Sequence, residues 1–374
     1  MKIYYEDSLP YAQEFFSDLG ECEVFSHRTV SAELIADADI LLVRSTTKVN
    51  QELLHLNHKI QYVATATAGT NHIDAAYLNG RGIAHGSAGG CNAVAVAEYV
   101  LSALFVMQQK LNWQLSDKVV GIVGAGHVGT ALQEKLNALG IVSKLCDPPL
   151  RDIGDPRQFV DMDEIMQCDI ITLHVPFINQ GPHQTKHMFD ATRLAQLNER
   201  QILINACRGE VVDNQAALML FEQGKQLNLV LDVWENEPEV NQDLVPFVAL
   251  STAHIAGHTI EGKARGTEML YQQLCRRLNQ PVSKYLSDYL PIADPALIEL
   301  PVTGSTENIF RDLVLAVYDI SQDDVRFKLS MGEPDQFRYI RKHYPIRREF
   351  SAIKVNTGNS AESKAIYALG FAQA

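Results

Sequence analysis

VVGIVGAGHVG, residues Val119 to Gly129, decides how this chain is read. Four β-branched apolar residues (Val119, Val120, Ile122, Val123) run straight into Gly124, Gly126 and Gly129, and an amphipathic segment follows from Val128 to Leu139. Strand, G-x-G-x-x-G, helix is the order that a dinucleotide site requires. One glycine permits the tight turn, one lets the backbone approach a pyrophosphate, and one allows close helix–strand packing. The helix N-terminus then offers unpaired N–H groups and a positive dipole end to the phosphates. A second element supports the first: Asp147, in CDP, closes the next apolar segment eighteen residues beyond Gly129. An acid at that place accepts hydrogen bonds from a ribose 2′-OH and repels a 2′-phosphate, so the cofactor expected is NAD rather than NADP.

Outward from this stretch, the composition sets bounds. The 374 residues suffice for two or three domains, and 46% hydrophobic with 21% charged residues describe an ordinary globular protein. A formal charge of -13 argues against nucleic acid or an anionic membrane as partner, since both call for a basic face. The longest apolar run, Ala93 to Met107, holds Glu98 and is too short to span a bilayer, and MKIYYEDSLP does not read as a signal peptide. Six scattered cysteines without a C-x-x-C pair point to reduced thiols in a cytoplasmic compartment and to no structural zinc.

Strand and helix alternate on both sides of the fingerprint. KIYY, ADILLVR and YVATATAG read as strands of a first α/β lobe, with polar residues gathered after them at Arg44, Ser45, Thr67 and Gly69. That edge is where open α/β sheets bind ligands, although each of these residues is also an ordinary turn former. A long apolar helix from Asn92 to Lys110 leads into the fingerprint domain. Six strands follow, at Val119 to Val123, Ser143 to Asp147, Asp169 to His174, Gln201 to Asn205, Asn228 to Asp232 and Val248 to Leu250. A helix from Thr259 to about Asn279 is expected to return to the first lobe. The organisation expected is therefore a substrate lobe (1–92 and 259–286), an inserted Rossmann NAD domain (93–258) and a smaller α+β C-terminal domain (287–374) serving homodimer formation. The two lobes are both doubly wound parallel sheets, the first flavodoxin-like. Pro281, Pro291, Pro295 and Pro301 mark the last boundary. Five basic residues without an acid between Arg338 and Arg348 form either a solvated face or, through Arg347 and Arg348, a cationic contribution to a neighbouring subunit's cleft.

Three motifs end strands on the cofactor edge. ILINACRGEVVD presents Arg208, LDVWENEPE carries Glu237, and STAHIAGHT carries His254. GAGHVG, INACRGEVVD, DVWENEP and HIAG together resemble the D-2-hydroxyacid dehydrogenase family, from about residue 40 to 285. VRSTTKVN, ATATAGTNHID, GCNAVAVAEYV and the C-terminal extension are similar to a branch acting on a phosphorylated four-carbon 2-hydroxy acid in pyridoxal phosphate biosynthesis. The resemblance implies a catalytic set of Arg208, Glu237 and His254. It implies cofactor contacts from His127, Val128, Val175, Ala206, Cys207, Asp232 and Gly257 besides Gly124, Gly126, Gly129 and Asp147, and substrate contacts from Ser45 and Thr67.

In those roles an imidazole moves a proton near neutral pH, a carboxylate on its other nitrogen fixes the tautomer, and a guanidinium grips a carboxylate. Arg44 is a further candidate for an anionic substrate. His258 stands where that branch has tyrosine and is placed with the substrate residues. The H-x-x-x-H spacings His183/His187 and His254/His258 are not read as metal ligands. The partner expected is a small phosphorylated 2-hydroxy acid. Another D-2-hydroxy acid such as D-3-phosphoglycerate, or a non-enzymatic NAD(H)-sensing role of corepressor type, fits the same fingerprint.

Overall fold

The structure is a computed structural model that describes residues 1–300, 304–333, 335–358 and 360–374, so Pro301 lies outside the described residues. The chain divides into two compact units, Met1–Asn92 with Thr259–Pro291, and Ala93–His258 with Ile292–Ala374.

In the first unit, β1 (Lys2–Glu6), β2 (Glu21–Phe25), β3 (Ile40–Val43), β4 (Tyr62–Thr65) and β5 (Ala84–Ser87) form a parallel sheet in the order β2-β1-β3-β4-β5, the flavodoxin-like order. The central strands ILLV and YVAT are buried throughout, as a sheet covered on both faces demands. Sequence reading finds three of the five strands. The two it lacks are the edges: ECEVF is mostly exposed and AHGS contains a glycine, so neither shows the apolar run that marks a central strand. Helix Ile260–Arg277, capped by the Thr259 hydroxyl, returns to this unit and packs Tyr271 and Leu274 against Phe15 and Phe16.

In the second unit, β6 (Val119–Val123), β7 (Val142–Cys146), β8 (Ile170–Leu173), β9 (Ile202–Asn205), β10 (Asn228–Leu231) and β11 (Leu250–Ser251) lie in the order β11-β10-β9-β8-β6-β7, all parallel. The order reverses between β8 and β6, the switch point at which α/β sheets bind ligands. Six strands are expected and six are present, but they do not map one to one on a two-half Rossmann sheet. The strand that should lie outside β7 is reduced to a parallel bridge between Leu145 and Phe159, and β11 takes a seventh position at the far edge.

Residues after Ile292 add a small parallel sheet of β12 (Leu297–Glu299), β13 (Lys354–Asn356) and β14 (Ala372–Gln373), and four helices among the described residues. Their apolar side chains join the cores of the nucleotide domain. Phe310, Leu313, Phe350 and Phe371 pack with Leu104 and Phe105 of helix Ala93–Leu111, and Phe327 stacks on Trp234 at 5.5 Å. Helix Ala93–Leu111 is long and apolar enough to cross a membrane by composition, yet 78% of its most apolar window is buried inside the protein. A helix apolar on all sides is what the centre of a large core requires. Its one buried acid, Glu98, meets Lys135 Nζ at 3.1 Å and accepts the Phe350 amide at 3.1 Å, so the charge is paired and hydrogen-bonded as burial demands.

Candidate active site

The fingerprint forms as its glycines require. Gly124 has φ +91, and a Cβ there would meet the His174 carbonyl at 2.5 Å. At Gly129 a Cβ would lie 2.1 Å from the Gly124 carbonyl, so only glycine lets helix His127–Ala138 sit against the turn. Gly126 is the helix N-cap, with no side-chain cap and nothing within 4 Å of the place a Cβ would take. No side chain caps the first-turn N–H groups, which is the arrangement that receives a pyrophosphate. Beside it is a cavity of about 330 Å³ walled by Gly124, Gly126, Asp147, Val175 and, unforeseen from sequence, His174, Pro176 and Thr185. Asp147 caps helix Pro148–Asp152 through Leu150 N at 3.0 Å and takes the Ala125 amide at 2.8 Å, so the acid at the ribose position also pins the glycine turn. These residues fit a dinucleotide: Gly126 and the helix start for its phosphates, Asp147 for a ribose. His127, Val128, Ala206, Cys207, Asp232 and Gly257 do not line this cavity. His127 and Val128 open the helix, and the others follow β9, β10 and β11.

The strand ends beyond β9, β10 and β11 carry Arg208, Glu237 and His254. Asn205, fully buried at the end of β9, shapes the first loop: its amide donates to the Arg208 carbonyl at 2.9 Å and its Oδ1 accepts the Cys207 amide at 3.2 Å. Arg208 Nη1 donates to the Cys207 carbonyl at 2.7 Å. A guanidinium has five N–H donors, so this bond leaves a fork for a carboxylate. Gly209 presses on the next loop, where a Cβ would stand 1.9 Å from the Trp234 carbonyl. Glu237 Oε1 accepts the Trp234 amide at 2.7 Å, and Oε2 meets His254 Nδ1 at 2.7 Å. That contact assigns the ring proton to Nδ1 and leaves the lone pair on Nε2.

His254 sits at φ +55, a left-handed conformation that costs a non-glycine residue about 1–2 kcal/mol. Such a residue persists where its surroundings over-determine it. Here the His254 amide donates to the Asp232 carbonyl at 2.6 Å, and the Asp232 carboxylate accepts from the Ile255 amide (2.7 Å), the Ala256 amide (2.9 Å) and the Thr252 hydroxyl (2.6 Å). Asp232, expected at the cofactor, thus commits its carboxylate to the loop that carries His254.

In the first unit the loop after β3 is organised by Glu6, which sequence reading does not single out. Its carboxylate is fully buried and accepts the Thr47 hydroxyl at 2.7 Å and the Arg44 amide at 3.0 Å, besides the hydroxyls of Ser8 and Thr46. Burial works to raise the Glu6 carboxyl, but these donors outweigh it and hold it below its usual range. Ser45 stands exposed on that loop, and Thr67, past β4, bonds Thr65 and the Gly69 carbonyl.

In the second unit His258 packs edge-on against Tyr344 at 6.0 Å. The histidine pairs diverge: His187 Nε2 binds Glu235 at 2.6 Å, His183 lies 3.7 Å from Asp152, and His254 turns to Glu237. The basic run divides: Arg338 and Lys342 are exposed on helix Gln336–Lys342, as a solvated face requires, and Arg347 is the correction. Arg347 is neither on a solvated face nor presented to a neighbouring subunit: it is 5% exposed and donates to carbonyls of its own chain, because a loop there buries the guanidinium.

Comparison with known proteins agrees with this geometry. Residues 95–259 match the family of the D-isomer specific 2-hydroxyacid dehydrogenase NAD binding domain, and residues 289–370 match a domain of unknown function. The chain is 67% identical over 371 residues to an erythronate-4-phosphate dehydrogenase of Pseudoalteromonas atlantica, covering 99% of each chain. It is 47% identical over 372 residues to one of Psychromonas ingrahamii, covering 99% of this chain and 96% of that one. Among solved structures, a 3-phosphoglycerate dehydrogenase of Entamoeba histolytica with NAD bound aligns at TM-score 0.62 and 23% identity, over 76% of this chain and 99% of that one. A D-lactate dehydrogenase of Aquifex aeolicus aligns at TM-score 0.54 and 22% identity, over 74% and 95%. The chain belongs to the D-isomer specific 2-hydroxyacid dehydrogenases, in the branch whose full-length members are named erythronate-4-phosphate dehydrogenases. It is a NAD-dependent oxidoreductase.

Burial alone drives the His174 imidazole down to about 3, and its Nδ1 has no hydrogen-bond partner among the described residues. The folded protein keeps this ring neutral while the unfolded chain takes up a proton below its ordinary value of 6.5. The stability it contributes is therefore whole above pH 6.5 and drains as pH falls towards 3. His174→Asn is expected to flatten the acid limb of a melting-temperature curve recorded without cofactor. An unchanged slope between pH 6 and about 4 contradicts the assignment.

Proposed function

We propose that the protein oxidises 4-phospho-D-erythronate to (R)-3-hydroxy-2-oxo-4-phosphooxybutanoate, a step of pyridoxal phosphate biosynthesis in the cytoplasm, with His254 as the acid/base. The observation that carries the chemistry is the 2.7 Å contact between His254 Nδ1 and Glu237 Oε2. The substrate is supported by the names of full-length relatives.

Bound NAD supplies the hydride acceptor. The chain's own residues do the rest. His254 Nε2 takes the C2 hydroxyl proton as the C2 hydrogen departs as hydride with the electron pair of its broken bond. Glu237 holds the ring in the tautomer that exposes Nε2 and stabilises the imidazolium that forms. The Arg208 fork grips the substrate carboxylate and polarises the C2 oxygen. Ser45 and Thr67, with Arg44, are the substrate-binding candidates of the first unit, and His258 is the candidate beside the catalytic loop.

NADH formation across 2-hydroxy acids with and without a 4-phosphate tests this reading. Activity is expected only with the phosphorylated four-carbon acid, and His254→Ala should abolish it while NADH binding persists. Equal rates without the phosphate sink the substrate assignment, and turnover by His254→Ala sinks the mechanism.

We also take the enzyme to be a homodimer formed through the C-terminal module. That module exposes Val325, Leu329, Tyr339 and Ile346 at 55, 83, 58 and 75%, large apolar side chains of the kind that association covers. Light scattering is expected to give twice the 41.6 kDa chain mass, and a monomer contradicts it.

A further inference from the structure

The loop that carries the catalytic histidine is gripped from two sides, and only one grip comes from the nucleotide domain. Asp232 takes the amides of Ile255 and Ala256. The carbonyls of the same two residues, each 1% exposed, need donors that water cannot supply, and the Ile255 carbonyl has one in the His258 amide at 2.8 Å. The donor to the Ala256 carbonyl comes from Arg347, which lies 91 residues beyond it in the C-terminal module. Nη2 donates to the Ala256 carbonyl at 2.8 Å and to the Ala95 carbonyl at 2.6 Å, and Nη1 reaches the Ile255 carbonyl at 3.4 Å. The guanidinium lies 4.2 Å over the Tyr318 ring, so it is fixed on its face as well as its edge. The loop is thus held by an anion at the amides of Ile255 and Ala256 and by a cation at the Ala256 carbonyl, directly after the strained His254.

We propose that Arg347 is a positioning residue for catalysis: the C-terminal module acts through it to hold the 254–256 loop so that His254 keeps its left-handed backbone and its contact with Glu237. Without the clamp, residue 254 relaxes to negative φ and the imidazole swings off the carboxylate. The module then has a task within its own subunit, separate from any association between copies. The inference rests on His254 being the proton acceptor.

Arg347→Gln is tested in the full-length enzyme with C2-deuterated and ordinary substrate, alongside NADH titration and thermal melting. The expected result is a kcat loss of about 10- to 100-fold with NADH affinity within about threefold, since a misplacement near 1 Å costs that much in rate. The primary isotope effect rises as hydride transfer becomes limiting, and Arg347→Lys restores part of kcat. Wild-type kcat and isotope effect in folded Arg347→Gln overturn the proposal. Should that variant fail to fold, Tyr318→Leu removes the ring under the guanidinium and its hydroxyl bond to Asp323 while leaving the Arg347 bonds to the Ala95 and Ala256 carbonyls; a raised isotope effect supports the clamp and an unchanged one overturns it. Phe371→Ala removes another buried contact of the module, the ring stacked at 4.6 Å on Phe350. It should lower the melting temperature alone, and an isotope effect as large as that of Arg347→Gln would mean general loosening and defeat the proposal. If His254→Ala keeps full turnover, the acid/base assignment falls whatever Arg347 does; if His254→Ala is dead and Arg347→Gln is normal, only this inference falls.

Discussion

The site depends on the buried carboxylate of Asp232. It lies at the end of β10, is 1% exposed, and receives the Thr252 hydroxyl and the amides of Ile255 and Ala256. A buried carboxylate is tolerated only when its lone pairs are matched by donors, and each charge-assisted bond is about twice as strong as a neutral one. The cost of burying it is thereby converted into a fixed shape for residues 252–256. His254 inherits that shape, including a backbone conformation that it would not adopt alone. Glu237 then meets its ring from the neighbouring loop, itself fixed by the Trp234 amide.

How much of this is legible in the sequence follows from the range of each interaction. The glycine turn and Asp147 announce themselves because strand, turn and helix are contiguous, and the steric need for Gly124 and Gly129 is local. The strand ends bearing Arg208, Glu237 and His254 can be placed on one sheet edge from alternation of elements alone, but their roles come from resemblance to a family. Glu6 and Asn205 are invisible: an acid in KIYYE and an amide in ILIN look like strand ends until the folded loops bring donors to them. Arg347 is misjudged for the same reason. In sequence it belongs to a run of cations, whereas its surroundings are carbonyls of residues 95 and 256, brought there by the tertiary fold. The edge strand ECEVF escapes because an exposed edge has no apolar signature.

The C-terminal module matches a family of its own, residues 289–370, apart from the NAD binding domain matched over 95–259. It is not an appendage. Its phenylalanines complete the core around helix Ala93–Leu111, and its buried guanidinium reaches the catalytic loop. A buried cation that satisfies backbone carbonyls is costly to remove, because the carbonyls remain behind without donors.

The central claim is that His254 and Glu237 act as one unit. Turnover of Glu237→Gln, His254→Ala and the double variant measures this directly, because residues that work only through each other are non-additive. The account expects the double variant to be no slower than His254→Ala alone. Losses that multiply in the double variant would show that the two residues act independently and would contradict it.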